Sequence, residues 1–218
     1  MDKNELKKEL VKYGNKILQI GLVAGAGGNI SARLCDVVYL SASGMAFDEM
    51  SENDYTGVDI KTGEVVDGKR KPTSETAMHL GCYKAKPEIK AIVHTHSPWA
   101  GGVISSGAKL EPMFPEFVCE IDEIGYIEYV VPTTQKLADR ISGIAKNYNV
   151  ILMSNHGVLA FGDNLREAFY RCIIIEEAAK SLIAATIVGK PRFFTKEEIE
   201  EIRNLDSTSF RRSVIKSN

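Results

Sequence analysis

The first twenty residues carry an apolar side chain at every third or fourth position. Steps of four, three, four and three residues place five of them on one face of an α-helix: Leu6, Leu10, Tyr13, Ile17 and Ile20. Residues 25–29, Gly-Ala-Gly-Gly-Asn, follow this pattern, and glycines adopt backbone angles that a helix cannot use. The pattern therefore predicts an amphipathic helix that ends before this segment.

Short runs rich in β-branched and aromatic residues predict strands. Turn-forming residues lie between some of these runs, at Cys35-Asp36 and at residues 61–64 (Lys-Thr-Gly-Glu). The predicted strands cover residues 30–34, 37–41, 55–60, 91–96, 124–131 and 150–154.

Further helices are predicted between and after the later strands. Residues 72–75, Pro-Thr-Ser-Glu, are typical of a helix start, because hydroxyl groups can accept hydrogen bonds from the first free backbone amides. Helices are also predicted at residues 134–148, 164–188 and 196–205, with Gly189 and Pro191 ending the longest. Helices mixed with many short strands favour an α/β fold, in which helices cover both faces of a largely antiparallel sheet.

Composition narrows the class of protein further. The chain has 218 residues, 44% of them hydrophobic, so we expect a single domain over residues 1–218 with a substantial core. The formal net charge of -2 argues against a nucleic-acid partner. The lack of a long apolar run argues against a membrane partner. We interpret Arg211, Arg212 and Lys216 as part of a solvated tail. Four scattered cysteines indicate reduced thiols in a cytoplasmic protein: Cys35, Cys82, Cys119 and Cys172.

Three of the four histidines suit a metal centre. His94 and His96 are two residues apart on a predicted strand, so their side chains leave the same face, and His156 follows another predicted strand. Three neutral imidazoles with one open position are a usual catalytic zinc arrangement. Glu75 offers a carboxylate as a fourth ligand or as a base. Taken singly, each histidine is equally compatible with a hydrogen-bonded core residue, and we interpret His79, one helical turn after Glu75, as structural.

Three segments combine glycines with hydroxyl side chains. They are residues 27–31 (Gly-Gly-Asn-Ile-Ser), 41–44 (Ser-Ala-Ser-Gly) and 72–75. Such loops can direct backbone amides and hydroxyls toward a phosphate, and the third lies at a predicted helix start, where the helix dipole favours an anion. Each segment alone is also compatible with an ordinary turn or helix cap.

The order of these motifs resembles the class II aldolase family. Gly-Gly-Asn-x-Ser, Ser-Gly, Pro-Thr-Ser-Glu, His-Thr-His-Ser and Asn-His-Gly follow one another between residues 27 and 157. The resemblance implies a three-layer α/β/α fold around a mainly antiparallel sheet. It also implies a homotetramer with its active sites at subunit interfaces.

The resemblance assigns roles to individual residues. It implies that His94, His96 and His156 hold one Zn2+ per subunit, although cobalt, manganese or iron suit the same ligands. Glu75 matches an acidic residue that binds the metal in the resting enzyme and then moves to act as the base. Six residues match positions that hold the substrate phosphate: Gly28, Asn29, Ser43, Gly44, Thr73 and Ser74.

The implied reaction is cleavage of a small sugar phosphate. Aldolases of the family carry glutamate at the position of Glu75, whereas the 4-epimerases carry aspartate. We therefore expect cleavage of a ketose 1-phosphate, such as L-fuculose 1-phosphate or 5-deoxyribulose 1-phosphate, to dihydroxyacetone phosphate and an aldehyde such as lactaldehyde. The alternatives are a sugar-phosphate 4-epimerase, a methylthioribulose 1-phosphate dehydratase and, outside the enzymes, a binding module like the adducin head.

One catalytic position departs from the pattern of the family. The fuculose enzymes place an acidic tyrosine about twenty residues after the second metal histidine, where this chain has Glu116. A carboxylic acid could replace the phenol if a dry site raised its pKa, and the dehydratases use a glutamate near this place. Glu116 is equally compatible with a surface residue after a proline turn. Tyr126 and Tyr129 are later substitutes for which strand alternation predicts packing roles.

Overall fold

The computed structural model describes residues 1–216, which form one eight-stranded sheet with helices on both faces. The strands are β1 (Asn29–Leu34), β2 (Val37–Ser41), β3 (Tyr55–Asp59), β4 (Val65–Asp67), β5 (Ala91–Thr95), β6 (Ile124–Ile127), β7 (Val150–Met153) and β8 (Gly157–Gly162). The helices are α1 (Lys3–Gln19), α2 (Thr76–Ala85), α3 (Pro98–Ser105), α4 (Pro115–Glu120), α5 (Gln135–Ala145), α6 (Leu165–Val188), α7 (Lys196–Arg203) and α8 (Asp206–Lys216).

The sheet is mixed, which corrects the expectation of a mainly antiparallel sheet. The strand order is β4-β3-β2-β1-β5-β8-β7-β6, and neighbouring strands are antiparallel except for β6 and β7, which are parallel. Adjacent parallel strands need a crossover connection, and α5 supplies it between β6 and β7. In this strand order, the parallel pair lies at one edge of the sheet.

Alternating side chains of the strands enter two separate cores. On β5, Val93 packs with α1, α3 and α6, whereas its neighbour Ile92 packs with α2 and α5. Val158 and Leu159 of β8 divide in the same way. Successive residues of a strand point to opposite faces, so a strand buried on both faces is apolar throughout. The three-layer arrangement predicted from the sequence is confirmed.

Helix boundaries follow the local signals closely. Asp2 caps α1 and Asn164 caps α6, each accepting a backbone N–H bond three residues ahead. Leu6, Leu10, Tyr13 and Ile17 are buried, but Ile20 lies beyond the last helical residue and is 49% exposed.

The end of the chain differs from the prediction. Residues Asp206–Lys216 form α8 instead of a solvated tail, because Thr208 and Ile215 are buried and Arg212 donates to the carbonyl of Cys119 at 2.6 Å. Residues 217 and 218 of the predicted tail and domain lie outside the described residues. Within residues 1–216, no helix has the length and apolar content required to cross a membrane.

Candidate metal centre and active site

Three histidine side chains meet at one end of the central strands. His94 is on β5, His96 follows that strand, and His156 lies in the turn between β7 and β8. Because β5 pairs with β8, with Thr95 opposite Val158, the turn is held beside the end of β5. One ring nitrogen from each histidine lies within 4.8 Å of the others. The structure thus brings together the three histidines that the sequence singled out.

The rings are arranged as metal ligands require. His94 Nδ1 lies 2.9 Å from the carbonyl of Val158, and only a protonated nitrogen can donate to a carbonyl. The lone pair of His94 Nε2 therefore points into the cluster, where His96 Nε2 is 3.1 Å away. Burial lowers the pKa of His94 to about 3, and burial also lowers the pKa values of His96 and His156. Neutral rings with converging nitrogens fit a divalent cation.

Glu75 completes the donor set. Its carboxylate is 6% exposed, with Oε2 3.2 Å from His94 Nε2 and Oε1 3.4 Å from His156 Nε2. Burial opposes ionisation, but His94, a hydrogen bond from Asn29 and His156 outweigh it and lower the pKa of Glu75. Within the described chain, Glu75 Oε1 and His156 Nδ1 are buried without a hydrogen-bond partner. An unpartnered carboxylate oxygen between the histidines is consistent with a bound cation.

The three glycine- and hydroxyl-rich segments lie around this carboxylate. Asn29 Nδ2 donates to Glu75 Oε2 at 3.0 Å, and the N–H of Ile30 donates to Ser41 Oγ at 3.2 Å. The N–H of Thr73 donates to the carbonyl of Ser41 at 2.9 Å, which joins the second segment to the third. The first segment is thus connected to both others.

Glycine and hydroxyl positions in these segments suit an anion. Gly28 has a φ of +71°, and a Cβ there would lie 2.7 Å from the carbonyl of His94, so a larger residue would displace the strand that carries the ligand. Ser43, Gly44 and Ser74 are exposed, while Thr73 is buried and its Oγ1 accepts from the N–H of Glu75. The exposed hydroxyls of Ser43 and Ser74 remain available to a phosphate.

Glu116 is in a different environment. It lies on α4 with 49% of its side chain exposed, and its carboxylate is 3.4 Å from Arg211 Nη1. Among the described residues, no hydrogen bond or ion pair joins it to the histidines. The hydroxyl of Tyr126 accepts from the N–H of Leu110 at 2.9 Å, and Tyr129 is 56% exposed.

Two residues near the site were not predicted to serve it. Glu176 of α6 accepts hydrogen bonds from the backbone N–H groups of Trp99 and Ala100, at 3.2 and 2.8 Å, and so anchors the helix that begins directly after His96. His79 contacts the side chain of Asn29. The sequence signal for His79 was its position one turn after Glu75. Glu176 gave no local signal, because its partners are more than 70 residues away.

The fold and the converging imidazoles define an α/β protein with a histidine-based candidate metal site at one end of its sheet. A profile of the family described as Class II Aldolase and Adducin N-terminal domain matches residues 8–183. The chain therefore belongs to the class II aldolase family, and the predictions of this family and of an aldolase-type lyase are confirmed.

Relatives within the family carry several names. An L-fuculose phosphate aldolase of Methanococcus vannielii is 35% identical over 79% of this chain and 93% of its own. A 5-deoxy-D-ribulose 1-phosphate aldolase of Bacillus thuringiensis is 33% identical over 90% and 92%. A 3-oxo-tetronate 4-phosphate decarboxylase of Haemophilus influenzae is 31% identical over 91% and 96%. A solved L-fuculose 1-phosphate aldolase superposes with a TM-score of 0.85 at 31% identity, covering 95% of this chain and 96% of that one.

Proposed function

We propose that this protein is a zinc-dependent aldolase that cleaves a ketose 1-phosphate, with L-fuculose 1-phosphate as the first candidate, into dihydroxyacetone phosphate and a small aldehyde such as lactaldehyde. The observation that carries the proposal is the convergence of His94, His96 and His156 on the carboxylate of Glu75, beside three anion-compatible segments. The names of relatives 33–35% identical support a ketose 1-phosphate as the substrate.

His94, His96, His156 and Glu75 are the ligands we propose for the ion. Zinc suits a set of neutral imidazoles and one carboxylate, although other divalent metals use the same ligands. When bound, the ion supplies Lewis-acid stabilisation to the oxygens of the substrate carbonyl and adjacent hydroxyl as negative charge develops on them.

Glu75 is proposed to handle the proton on carbon. In cleavage, a base removes the proton of the C4 hydroxyl, the C3–C4 bond breaks, and its electron pair forms an enediolate over C3 and C2. Glu75, once protonated, returns a proton to C3 to give dihydroxyacetone phosphate, and in the reverse direction it removes that proton. A carboxylate already ionised beside the histidines is suited to the reverse step.

The oxygen proton requires a second group. Glu116 remains our candidate, and its exposed position on α4 is compatible with a role in the site of a neighbouring subunit. Such a role requires active sites that lie at subunit interfaces. We therefore also propose that the protein is a homotetramer of single-domain chains, located in the cytoplasm.

The phosphate is proposed to bind to the three connected segments. Backbone amides and hydroxyls would hold it through Gly28, Asn29, Ser43, Gly44, Thr73 and Ser74. Fixing the phosphate beside Glu75 would place C3 of the substrate near the carboxylate, and such positioning accounts for a large part of enzymatic rate enhancement.

A decarboxylase is the second candidate, favoured by a relative that matches 91% of this chain at 31% identity. Loss of CO2 from a 3-oxo acid with a phosphate on C4 leaves the same enediolate that aldol cleavage produces. The same four donors and the same proton transfer by Glu75 would therefore serve both reactions, and the product that accompanies the triose phosphate distinguishes them.

A product assay tests the proposal. Zinc-loaded protein is incubated with L-fuculose 1-phosphate, 5-deoxyribulose 1-phosphate and a 3-oxo-tetronate 4-phosphate, and triose phosphate, aldehyde and CO2 are measured with and without a chelator. Chelator-sensitive release of dihydroxyacetone phosphate with aldehyde supports the aldolase, and release with CO2 supports the decarboxylase. Fully metal-loaded protein that releases no triose phosphate would overturn both and direct the assay to epimerised or dehydrated products.

A further inference from the structure

A continuous chain of buried hydrogen bonds leads from Glu75 into the protein. Glu75 Oε2 accepts from Asn29 Nδ2 at 3.0 Å, and Asn29 Oδ1 lies 2.6 Å from His79 Nε2. His79 Nδ1 is 2.7 Å from Ser31 Oγ, which in turn lies 3.0 Å from the hydroxyl of Tyr83. All five side chains are buried, and those of Ser31 and His79 are 0% exposed.

Local geometry places these residues in line. Asn29 and Ser31 are two apart on β1, so they share one face of the strand. Glu75 occupies the N-cap position of α2, and His79 and Tyr83 follow at successive intervals of four residues, which keeps all three on one side of the helix. The helix side and the strand face meet along the whole chain of contacts.

The hydrogen bonds have one consistent direction. An ionised Glu75 can only accept, so Asn29 turns its NH2 group toward Glu75 and its oxygen toward His79. His79 Nε2 must then carry a hydrogen, and its bare Nδ1 accepts from the hydroxyl of Ser31. The hydroxyl of Tyr83 donates to the carbonyl of Ser31 at 3.2 Å and lies 3.0 Å from its Oγ. Burial lowers the pKa of His79 to about 4, which keeps the ring neutral, as this direction requires. The opposite tautomer would favour a flipped Asn29 amide, with its oxygen facing the carboxylate.

We propose that His79 is a positioning residue, whose Nε2–H group holds the amide of Asn29 in the orientation that fixes the carboxylate of Glu75 for proton transfer. The inference rests on the proposed role of Glu75 and adds a group that acts through Asn29. An amide NH2 carries two hydrogens, so Asn29 can donate one to Glu75 and the other to the substrate phosphate. His79 therefore sets the position of a side chain that joins phosphate binding to the base.

Three variants separate positioning from stability. In His79→Phe the donor to Asn29 is lost, and we expect kcat to fall about 10- to 100-fold while KM stays within about threefold. His79→Gln retains an N–H donor, and its kcat should be at least about fivefold higher than that of His79→Phe. Tyr83→Phe is the matched control, because it removes a buried hydroxyl that contacts Ser31 beyond His79 and leaves the contact with Asn29, so kcat should stay within about threefold of wild type.

Two kinetic outcomes would overturn the positioning role of His79. Equal losses of kcat in His79→Phe and Tyr83→Phe, tracking their melting temperatures, would reduce His79 to a structural residue and overturn the proposal. An unchanged kcat in folded His79→Phe would overturn it as well. Metal content is measured for each variant, and the proposal requires it to stay at the wild-type level.

A second measurement needs no substrate and no variant. Nitrogen-15 NMR of the histidine rings in the zinc-loaded protein should show His79 as the Nε2–H tautomer, with a bare Nδ1, between pH 6 and 8. An Nδ1–H tautomer would overturn the positioning role even if the enzyme cleaves its substrate. Conversely, a wild-type protein that cleaves no sugar phosphate would overturn the proposed function, whatever the tautomer of His79.

Discussion

At Glu75, burial and polar contacts act in opposite directions on one carboxylate. Burial favours the neutral acid, but His94, the amide of Asn29 and His156 favour the ionised form and lower the pKa. The charge is held where the amide N–H of Asn29 donates to it, and where one oxygen has no hydrogen-bond partner within the described chain. A buried charge so placed is costly for folding alone, which makes it a strong candidate for function.

Replacement of Glu75 by glutamine should nearly abolish turnover. We expect a fall in kcat of about 10²- to 10⁴-fold, because an amide cannot take up and return the proton on carbon. The measurement is steady-state release of triose phosphate, with circular dichroism and metal content recorded on the same samples. Near-normal turnover in Glu75→Gln would contradict the role, and Glu116→Gln in parallel measures the contribution of the second carboxylate.

His79 should make the folded protein sensitive to acid. Its pKa is about 4 in the folded state, below the ordinary value of 6.5, so the unfolded chain binds this proton more readily. The contribution of His79 to the free energy of unfolding is fully present above pH 6.5 and is lost as the pH falls toward 4. Between pH 7 and pH 5, we expect the free energy of unfolding of wild type to fall by about 2 kcal/mol more than that of His79→Gln.

Urea unfolding of both proteins at the two pH values measures this difference. The remaining histidines titrate in both proteins and cancel in the comparison. Equal losses of stability on acidification would contradict a buried neutral His79.

Among the elements, α3 shows how a helix end can support the site. Its first backbone N–H groups follow His96 closely and are bonded to the buried carboxylate of Glu176 on α6. A carboxylate at a helix N-terminus both satisfies free amides and interacts favourably with the helix dipole. This contact fixes the course of the chain directly after a proposed metal ligand.

Truncation of Glu176 should destabilise the protein more than truncation of its neighbour. Glu176→Ala leaves two amides of α3 without their acceptor, and we expect a loss of about 2 kcal/mol in the free energy of unfolding. Glu177 is exposed and pairs with Lys180 on the surface of the same helix, so Glu177→Ala should cost less than about 0.5 kcal/mol. Chemical denaturation of both variants tests this, and losses of equal size would refute the anchoring role.

For the molecule as a whole, the candidate metal site connects distant parts of the chain. Its donors come from the start of α2, the end of β5 and the turn before β8, which lie far apart in sequence. A cation bound to all of them would stabilise the folded state, because the unfolded chain cannot hold these groups together.

Metal removal should therefore lower the melting temperature. At a zinc concentration about 100 times the dissociation constant, binding contributes about 2.7 kcal/mol, and we expect a shift of about 5–10 °C between chelated and zinc-loaded protein. Differential scanning calorimetry measures it, and His156→Ala should lose most of the shift because one imidazole is missing. A melting temperature that is the same with chelator and with zinc would argue against the site.

Much of this arrangement is encoded locally. The apolar spacing of α1 and the capping residue of α6 define their helices within a few residues, and strand β2 matches its predicted range fully. These features depend on neighbours within one or two turns, which sequence patterns report directly. The candidate ligands could also be chosen from the sequence, because few histidines are present and their motifs follow a known order.

Contacts between distant residues were decided by tertiary structure alone. The parallel pairing of β6 with β7, the docking of α8 and the partners of Glu176 depend on packing that no local pattern contains. The same applies to the hydrogen-bonded chain from Tyr83 to Glu75, which crosses about 50 residues of sequence between β1 and α2. The sequence by itself determined the longer helices, several strands and the chemical types at the site, whereas β4, β8, α3 and α4 were not predicted. Only the folded chain determined which buried polar groups meet, because each had to find its hydrogen-bond partner within the packed interior.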